Sequence, residues 1–266
     1  MIKYLEKIGS LKKRMDYLIP NLGWKQACIF KTQEFRQSLF NDTENYVLTS
    51  KDSQFPLVCR PNTSDMEAFE QIFIQKEYSD LDDLSSVDLI IDCGANVGYA
   101  SAYFLTRFPE CRAICIEPDP GNFMVLEQNL APYKDRVKSI RSGIWSHPTG
   151  LKILETPYRD GKAWSVQVRE SDLDETPEMQ AIDLGTLLQE SGCDKISVLK
   201  MDIEGAEAVV FSKNYDSWLP FVDNMAIELH DDSCFGRASD IVLNTVNACK
   251  PFTISTYGDL TVFKSC

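Results

Sequence analysis

A chain of 266 residues that is 44% hydrophobic has enough apolar surface for one large core, or for a core plus a smaller N-terminal unit, and is not a disordered protein. The formal net charge of −13 argues against a general nucleic-acid grip, since phosphate binding relies on Lys and Arg releasing counterions. Nine scattered cysteines without a Cys-x-x-Cys pair read as reduced thiols of a cytoplasmic protein, not as a disulfide framework.

Ile2, Leu5, Ile8, Leu11, Met15 and Leu18 recur in steps of three and four and predict an amphipathic helix ended by Pro20 and Gly23. No apolar run there is long enough for a signal peptide or a transmembrane segment. Trp24 to Leu39 favours a second helix, and the pair are candidates for covering an active-site edge or for forming a homodimer. Tyr46 to Thr49 and Phe55 to Cys59 alternate apolar and polar residues, as a hairpin does. Ser64 or Asp65 then caps a helix from Met66, while Arg60 is assigned a structural bond to a carboxylate. We divide the chain here, into a helical and hairpin extension (residues 1–57) and a main domain (residues 58–266).

Leu89, Ile90 and Ile91 form a short apolar run that Asp92, Gly94 and Gly98 interrupt before helical spacing resumes through Leu105. That is buried strand, tight loop, helix. Residues without a β-carbon let a ligand approach the backbone, and the helix start offers amide donors. The glycines stand four apart rather than as Gly-x-Gly-x-x-Gly, and Asp92 would repel a pyrophosphate, so a nucleoside carrying an amine fits better than a dinucleotide. The next strand, Ala113 to Ile116, ends in Glu117, where an acid receives ribose hydroxyls.

A helix from Gly121 to Leu130 and a strand from Val137 to Ile140 follow, then Ser142-Gly143. Residues 151–182 break the rhythm and predict short strands with polar connections; Tyr158 and Trp164 are candidates for stacking on a sugar or ring, or for packing an extra hairpin. Asp183 and Gly192 punctuate a helix. Ile196 to Met201 is a central strand leading to Asp202 and Glu204, with helix continuing through Phe211. On the strand from Asn224 to Leu229, Glu228 and His230 share one face beside Asp202. A helix over Phe235 to Ala248 and a hairpin, Phe252 to Thr256 with Leu260 to Phe263, complete the chain.

Four pieces occur in order: Ile90-Ile-Asp-Cys-Gly-Ala-Asn-Val-Gly-Tyr99, Ile116-Glu-Pro-Asp-Pro120 with Asn129 downstream, Val198-Leu-Lys-Met-Asp-Ile-Glu-Gly-Ala-Glu207, and Ile227-Glu-Leu-His230. With Arg60-Pro-Asn-Thr-Ser-Asp65 as lead-in, they resemble the class I, S-adenosylmethionine-dependent methyltransferases of the FkbM type. Cys93 departs from that pattern, and the resemblance fades before residue 58 and across residues 151–182. It implies a Rossmann-like α/β sheet, mostly parallel with a C-terminal antiparallel hairpin, and O-methylation of a hydroxyl on a sugar, glycan or polyketide-like molecule. It assigns Asp92, Gly94, Ala95, Asn96, Gly98 and Glu117 to S-adenosylmethionine, and Ser142 and Gly143 to its adenine.

Methyl transfer from a sulfonium is an in-line displacement that needs alignment and, for a hydroxyl acceptor, a base. His230 is the base by position, since an unperturbed imidazole has a pKa of about 6.5. Glu228 orients it or meets the substrate, and Asp202 lies near the methionine part or the acceptor. His147 sits in a turn where solvent exposure is expected. No residue is assigned as a metal ligand, although Asp202, Glu204, Glu228, His230, Asp231 and Asp232 carry donors suited to Mg²⁺; acids after a strand also cap the following helix, as Glu204 and Glu207 would. A non-catalytic binding or interaction module is the alternative reading, and the glycine spacing disfavours a nicotinamide-dependent oxidoreductase.

Overall fold

The computed structural model describes residues 2–40, 43–154 and 164–265. They fall into two compact units, Met1–Glu77 and Tyr78–Cys266.

The first unit begins with α1 (Ile2–Leu39), whose helical path breaks only at Gly23, at φ 76° and ψ 161°. Pro20 lies within the helix, so the expected stop belongs to glycine alone. β1 (Tyr46–Leu48) and β2 (Leu57–Cys59) pair antiparallel, Tyr46 opposite Cys59. α2 (Asp65–Phe73) packs Phe69 against Phe30 of α1, ring centres 6.1 Å apart. Arg14 grips Glu70 through two hydrogen bonds of 2.6 Å. Ser64 takes the N-cap position without a side-chain cap, because Asp65 is the carboxylate that binds Arg60, at 2.7 and 3.0 Å. This compact unit runs to Glu77, and β2, which begins at Leu57, pairs back to β1 within it.

The second unit contains β3 (Leu89–Cys93), α3 (Tyr99–Arg107), β4 (Arg112–Ile116), α4 (Pro120–Leu130) and β5 (Val137–Ile140). An inserted antiparallel sheet follows, of β6 (Gly150–Ile153), β7 (Val168–Glu170) and β8 (Met179–Gln180), in the order β7-β6-β8. Tyr158 lies outside the described residues. Next come α5 (Leu184–Ser191), β9 (Ile196–Met201), the four-residue α6 (Glu207–Val210), β10 (Val222–Glu228), α7 (Ala238–Cys249), β11 (Phe252–Tyr257) and β12 (Leu260–Ser265). Asp119 caps α4 by accepting from Asn122 N, and Asp183 caps α5 by accepting from Thr186 N. α5 stops at Gly192 in the left-handed conformation.

The main sheet has the order β11-β12-β10-β9-β3-β4-β5. Its strands run parallel except β12, which inserts antiparallel between β10 and β11. This is the Rossmann-like sheet expected from the sequence, mostly parallel with a C-terminal antiparallel hairpin. From β3 the chain builds outward to β5, then returns to build the other half from β9, so the crevice lies beyond the carboxyl ends of β3 and β9. Register aligns its rim: Cys93 pairs with both Ile116 and Met201, and Met201 with Ile227. The next residue on each strand is therefore Gly94, Glu117, Asp202 and Glu228, side by side.

β3 and β9 are buried along their full length, as strands covered on both faces are. Their two charged residues, Asp92 and Lys200, face each other inside that core. Among the described residues no helix is long and apolar enough to cross a membrane.

Candidate active site

The loop after β3 is tied to both neighbouring strands. Gly94 N and Ala95 N donate to Ile116 O at 3.0 and 2.9 Å, and Asp202 N donates to Cys93 O at 3.0 Å. Gly94 has φ +75°, and a β-carbon there would lie 1.7 Å from the Asp202 carbonyl oxygen. Only glycine allows this crossing. Asn96 is also left-handed, at φ 48°, a conformation that asparagine tolerates, and its N–H donates to Glu117 Oε2 at 2.8 Å. Asn129 holds the end of the loop by donating to Val97 O at 2.8 Å.

Glu117 is buried at the tip of β4. Its Oε1 accepts from Asp119 N at 3.0 Å and Asn122 Nδ2 at 3.3 Å. Burial pushes its pKa up to about 7, while these bonds and the one from Asn96 act in the opposite direction. The carboxyl group is thus close to balance between its two forms at neutral pH.

Glu117 lines a partly open cleft with Gly94, Asn96, Ser142, Gly143 and Asp202. Trp164, Val166 and Val168 of the insertion form the opposite wall, so residues 151–182 supply part of the lining. The Ser142 hydroxyl donates to Gln180 O and is engaged within the protein.

Three residues expected around the cofactor stand behind this surface. Asp92 is fully buried, accepts from Ser101 Oγ at 2.6 Å and lies 3.3 Å from Lys200 Nζ. Ala95 and Gly98 shape the loop and do not line the cleft: Gly98 N donates to Ala95 O at 2.8 Å. Lys200 donates to Gly94 O at 2.6 Å and stands 3.9 Å from Asp202. Burial disfavours its charge, but the carboxylates of Asp92, Asp202 and Glu228 outweigh that and hold its pKa above the usual lysine value.

His230 is 2% exposed, and neither it nor Glu228 lines the cleft. Its Nδ1 is 3.0 Å from Glu207 Oε1, which also accepts from Ile203 N at 3.0 Å. Its Nε2 faces Glu204 at 3.4 Å, Glu228 at 3.8 Å and Asp202 at 3.9 Å. Burial lowers the imidazole pKa, but the Glu207 bond and the surrounding acids raise it to about 9. These acids favour the charged form of the ring, where its ordinary pKa would favour the neutral one. Asp231 turns away, accepting from Ser239 N and Oγ at 2.8 and 2.7 Å. His147 lies 3.6 Å from Glu170, with its side chain 39% exposed.

The geometry gathers Glu117, the glycine loop, Asp202 and the histidine corner on one sheet edge, and the region that holds them matches a known family. The Methyltransferase FkbM domain covers residues 92–247. The chain belongs to the FkbM methyltransferases. Membership implies S-adenosylmethionine as methyl donor. This FkbM chain is 25% identical over 185 residues to Methyltransferase 1 of Beauveria bassiana, covering 61% of the chain and 72% of the relative. It is 26% identical over 194 residues to Methyltransferase sdnD of Sordaria araneosa, covering 62% and 74%. It is also 25% identical over 198 residues to a stretch of AMB antimetabolite synthetase AmbE of Pseudomonas aeruginosa, covering 61% of the chain and 9% of the synthetase. Among solved structures it is similar to the SAM-dependent methyltransferase from Agrobacterium tumefaciens, with TM-score 0.44 and 7% identity over 71% of this chain and 54% of that one.

Two residues of the FkbM site carry more than the sequence reading gave them. Lys200 is the lone charged residue in the run Ile196–Met201, whose other members apart from Ser197 are apolar, and that contrast is its signal. Glu207 reads from sequence as a helix cap, and it does accept a backbone N–H, but its partnership with His230 joins positions 23 residues apart. No local pattern encodes that pair.

Proposed function

We propose that the protein transfers a methyl group from S-adenosylmethionine to a hydroxyl of a sugar, glycan or polyketide-like small molecule. The observation that carries this reading is the single cleft lined by Glu117, the glycine loop and Asp202. The donor fits the residues present: the Glu117 carboxylate suits ribose hydroxyls, and Gly94 and Asn96 give the methionine part a close backbone approach. Ser142, Gly143 and the apolar Ile116 and Ile144 suit the adenine. The acceptor is assigned to the end bounded by Asp202 and Trp164. The stretch similar to an antimetabolite synthetase supports a small-molecule acceptor.

In this reading the acceptor oxygen attacks the methyl carbon in line, and the C–O bond forms as the S–CH₃ bond breaks. S-adenosylhomocysteine departs, and the hydroxyl proton passes to the Asp202 carboxylate as attack proceeds. His230, whose charged form the surrounding acids favour, is assigned to orienting Asp202 and the acceptor. A cytoplasmic setting is part of the proposal, supported by eight free thiols among the described residues.

Calorimetric titration with S-adenosylmethionine, S-adenosylhomocysteine and NADH tests the cofactor. Saturable binding of the first two, abolished by Glu117→Ala, is the expected result. An acceptor screen read by NMR should then yield an O-methyl product. An N-methyl product overturns the hydroxyl assignment, and nucleoside binding without turnover across sugars and small alcohols favours a non-catalytic module.

A further inference from the structure

The second half of α1, after the break at Gly23, buries one face within its own unit and leaves a second face bare. Ala27 and Phe30 are fully buried, and Phe30 meets Phe69 of α2. Trp24, Phe35 and Leu39, in contrast, are 66%, 58% and 59% exposed. At about 3.6 residues per turn, steps of eleven and four bring these three within about 60° of one another, in a row about 22 Å long. Between them lie half-buried Cys28 and Lys31, whose ammonium group turns to Glu34 at 2.6 Å. Single exposed apolar residues are ordinary, but three large ones in line on one helix are not.

The surroundings of the row fit it for lipid. Thr32 and Ser38 border it on either side, and their hydroxyls donate to Cys28 O and Phe35 O at 2.8 and 2.7 Å. Both polar groups are bonded within the helix and lose little on leaving water. Lys25 and Arg36, both exposed, follow Trp24 and Phe35 by one residue, which sets them along one edge of the row, opposite the buried face. Residues 1–40 hold eight Lys or Arg against Glu6, Asp16 and Glu34, a net +5 in a chain of −13. Positive charge is concentrated on the helix whose apolar side chains are exposed.

An apolar row bordered by basic groups is what a helix lying in a membrane interface presents to lipid, and α1 is not apolar enough to cross the membrane instead. We propose that residues 24–39 seat the protein on an anionic bilayer surface, with Trp24, Phe35 and Leu39 entering the interfacial layer and Lys25 and Arg36 meeting lipid phosphates. An antiparallel two-fold pair of copies through the same row would set Lys25 of one beside Arg36 of the other, like charge against like, so the charges favour lipid over a second copy. This surface needs neither S-adenosylmethionine nor the acceptor.

The test is flotation of the purified full chain with unilamellar vesicles, made of equimolar phosphatidylglycerol and phosphatidylcholine or of phosphatidylcholine alone, with no nucleoside present. The wild type should float with the anionic vesicles and do so less as NaCl is raised, because salt screens the basic groups. The double variants Trp24→Ser/Phe35→Ser and Lys25→Gln/Arg36→Gln should each lower the partition coefficient roughly tenfold or more. Leu173→Ser, a change of an exposed leucine in the second unit, should float as the wild type does. No flotation of the wild type, equal flotation on phosphatidylcholine alone, or undiminished flotation of either double variant with the wild-type thermal transition overturns the proposal. A dimer in sedimentation velocity that Trp24→Ser/Phe35→Ser dissociates also overturns it, and assigns the row to a second copy of the chain.

Discussion

Glu207 and His230 form a buried pair beneath the cleft, Oε1 3.0 Å from Nδ1, with side chains 0% and 2% exposed. The same carboxylate oxygen accepts from Ile203 N, so one side chain fixes both the imidazole and the turn after β9. Removing Glu207 takes away a hydrogen bond to a charged group, worth about 1.5–3 kcal/mol, while Glu204, Glu228 and Asp202 still face Nε2. Glu207→Ala should therefore lower stability by about that amount in urea denaturation. Glu207→Gln keeps an oxygen acceptor and should cost about 1–2 kcal/mol. If both variants unfold at the wild-type midpoint, the pair contributes nothing to stability.

Glu117 supplies a pH dependence. Its folded pKa of about 7 lies above the ordinary 4.5, so the folded state holds this proton more tightly than the unfolded state does. Its stability contribution is thus fully present below about 4.5 and is lost as pH rises through about 7. Binding has the opposite sign, since ribose hydroxyls donate to the carboxylate. Calorimetry should show S-adenosylhomocysteine affinity increasing from pH 6 to pH 8. Glu117→Gln should flatten that profile and weaken binding by about 1.5–3 kcal/mol, or roughly ten- to hundredfold. An unchanged profile in Glu117→Gln would assign the pH effect elsewhere.

The sequence made the strands legible because parallel strands covered on both faces are continuous apolar runs, as Leu89–Ile91 and Ala113–Ile116 are. It exposed the rim because each run ends at a glycine or an acid. It did not expose depth. Asp92 and Glu117 look equivalent at the ends of adjacent runs, yet Asp92 is the fourth residue of β3 and points into the core, whereas Glu117 follows the last residue of β4. Two residues of register separate a core ion pair from a cleft-lining acid. Its spacing from Glu228 marks His230 in the sequence, but its raised pKa arises from Glu207, Asp202 and Glu204, on the turn after β9.

That turn crosses the glycine loop, which yields a sharp substitution test. Gly94→Ala combines left-handed backbone strain with a β-carbon 1.7 Å from the Asp202 carbonyl oxygen. The two effects together should cost about 2–5 kcal/mol. Gly192→Ala is the matched comparison: its φ is +69°, but nothing lies within 4 Å of the added carbon. It should cost only about 1 kcal/mol. Equal midpoints for the two variants in urea would show that the crossing relaxes without cost.

The Asp92–Lys200 pair lies directly under this crossing, 3.3 Å apart and almost wholly buried, and Lys200 also donates to Gly94 O at 2.6 Å. Lys200→Met leaves the Asp92 carboxylate with Ser101 as a neutral donor and releases the Gly94 carbonyl, so a loss of about 3–5 kcal/mol is expected. Asp92→Asn should cost less, because Asp202 remains 3.9 Å from the ammonium group. In the double variant neither charge of the pair is left alone, and the combined loss should fall short of the sum by at least about 1 kcal/mol. Cofactor binding separates the two roles of Lys200. If the lysine also holds the loop in register, the double variant will recover stability but not S-adenosylhomocysteine affinity, because the Gly94 carbonyl still lacks its donor. Recovery of both would restrict Lys200 to charge compensation.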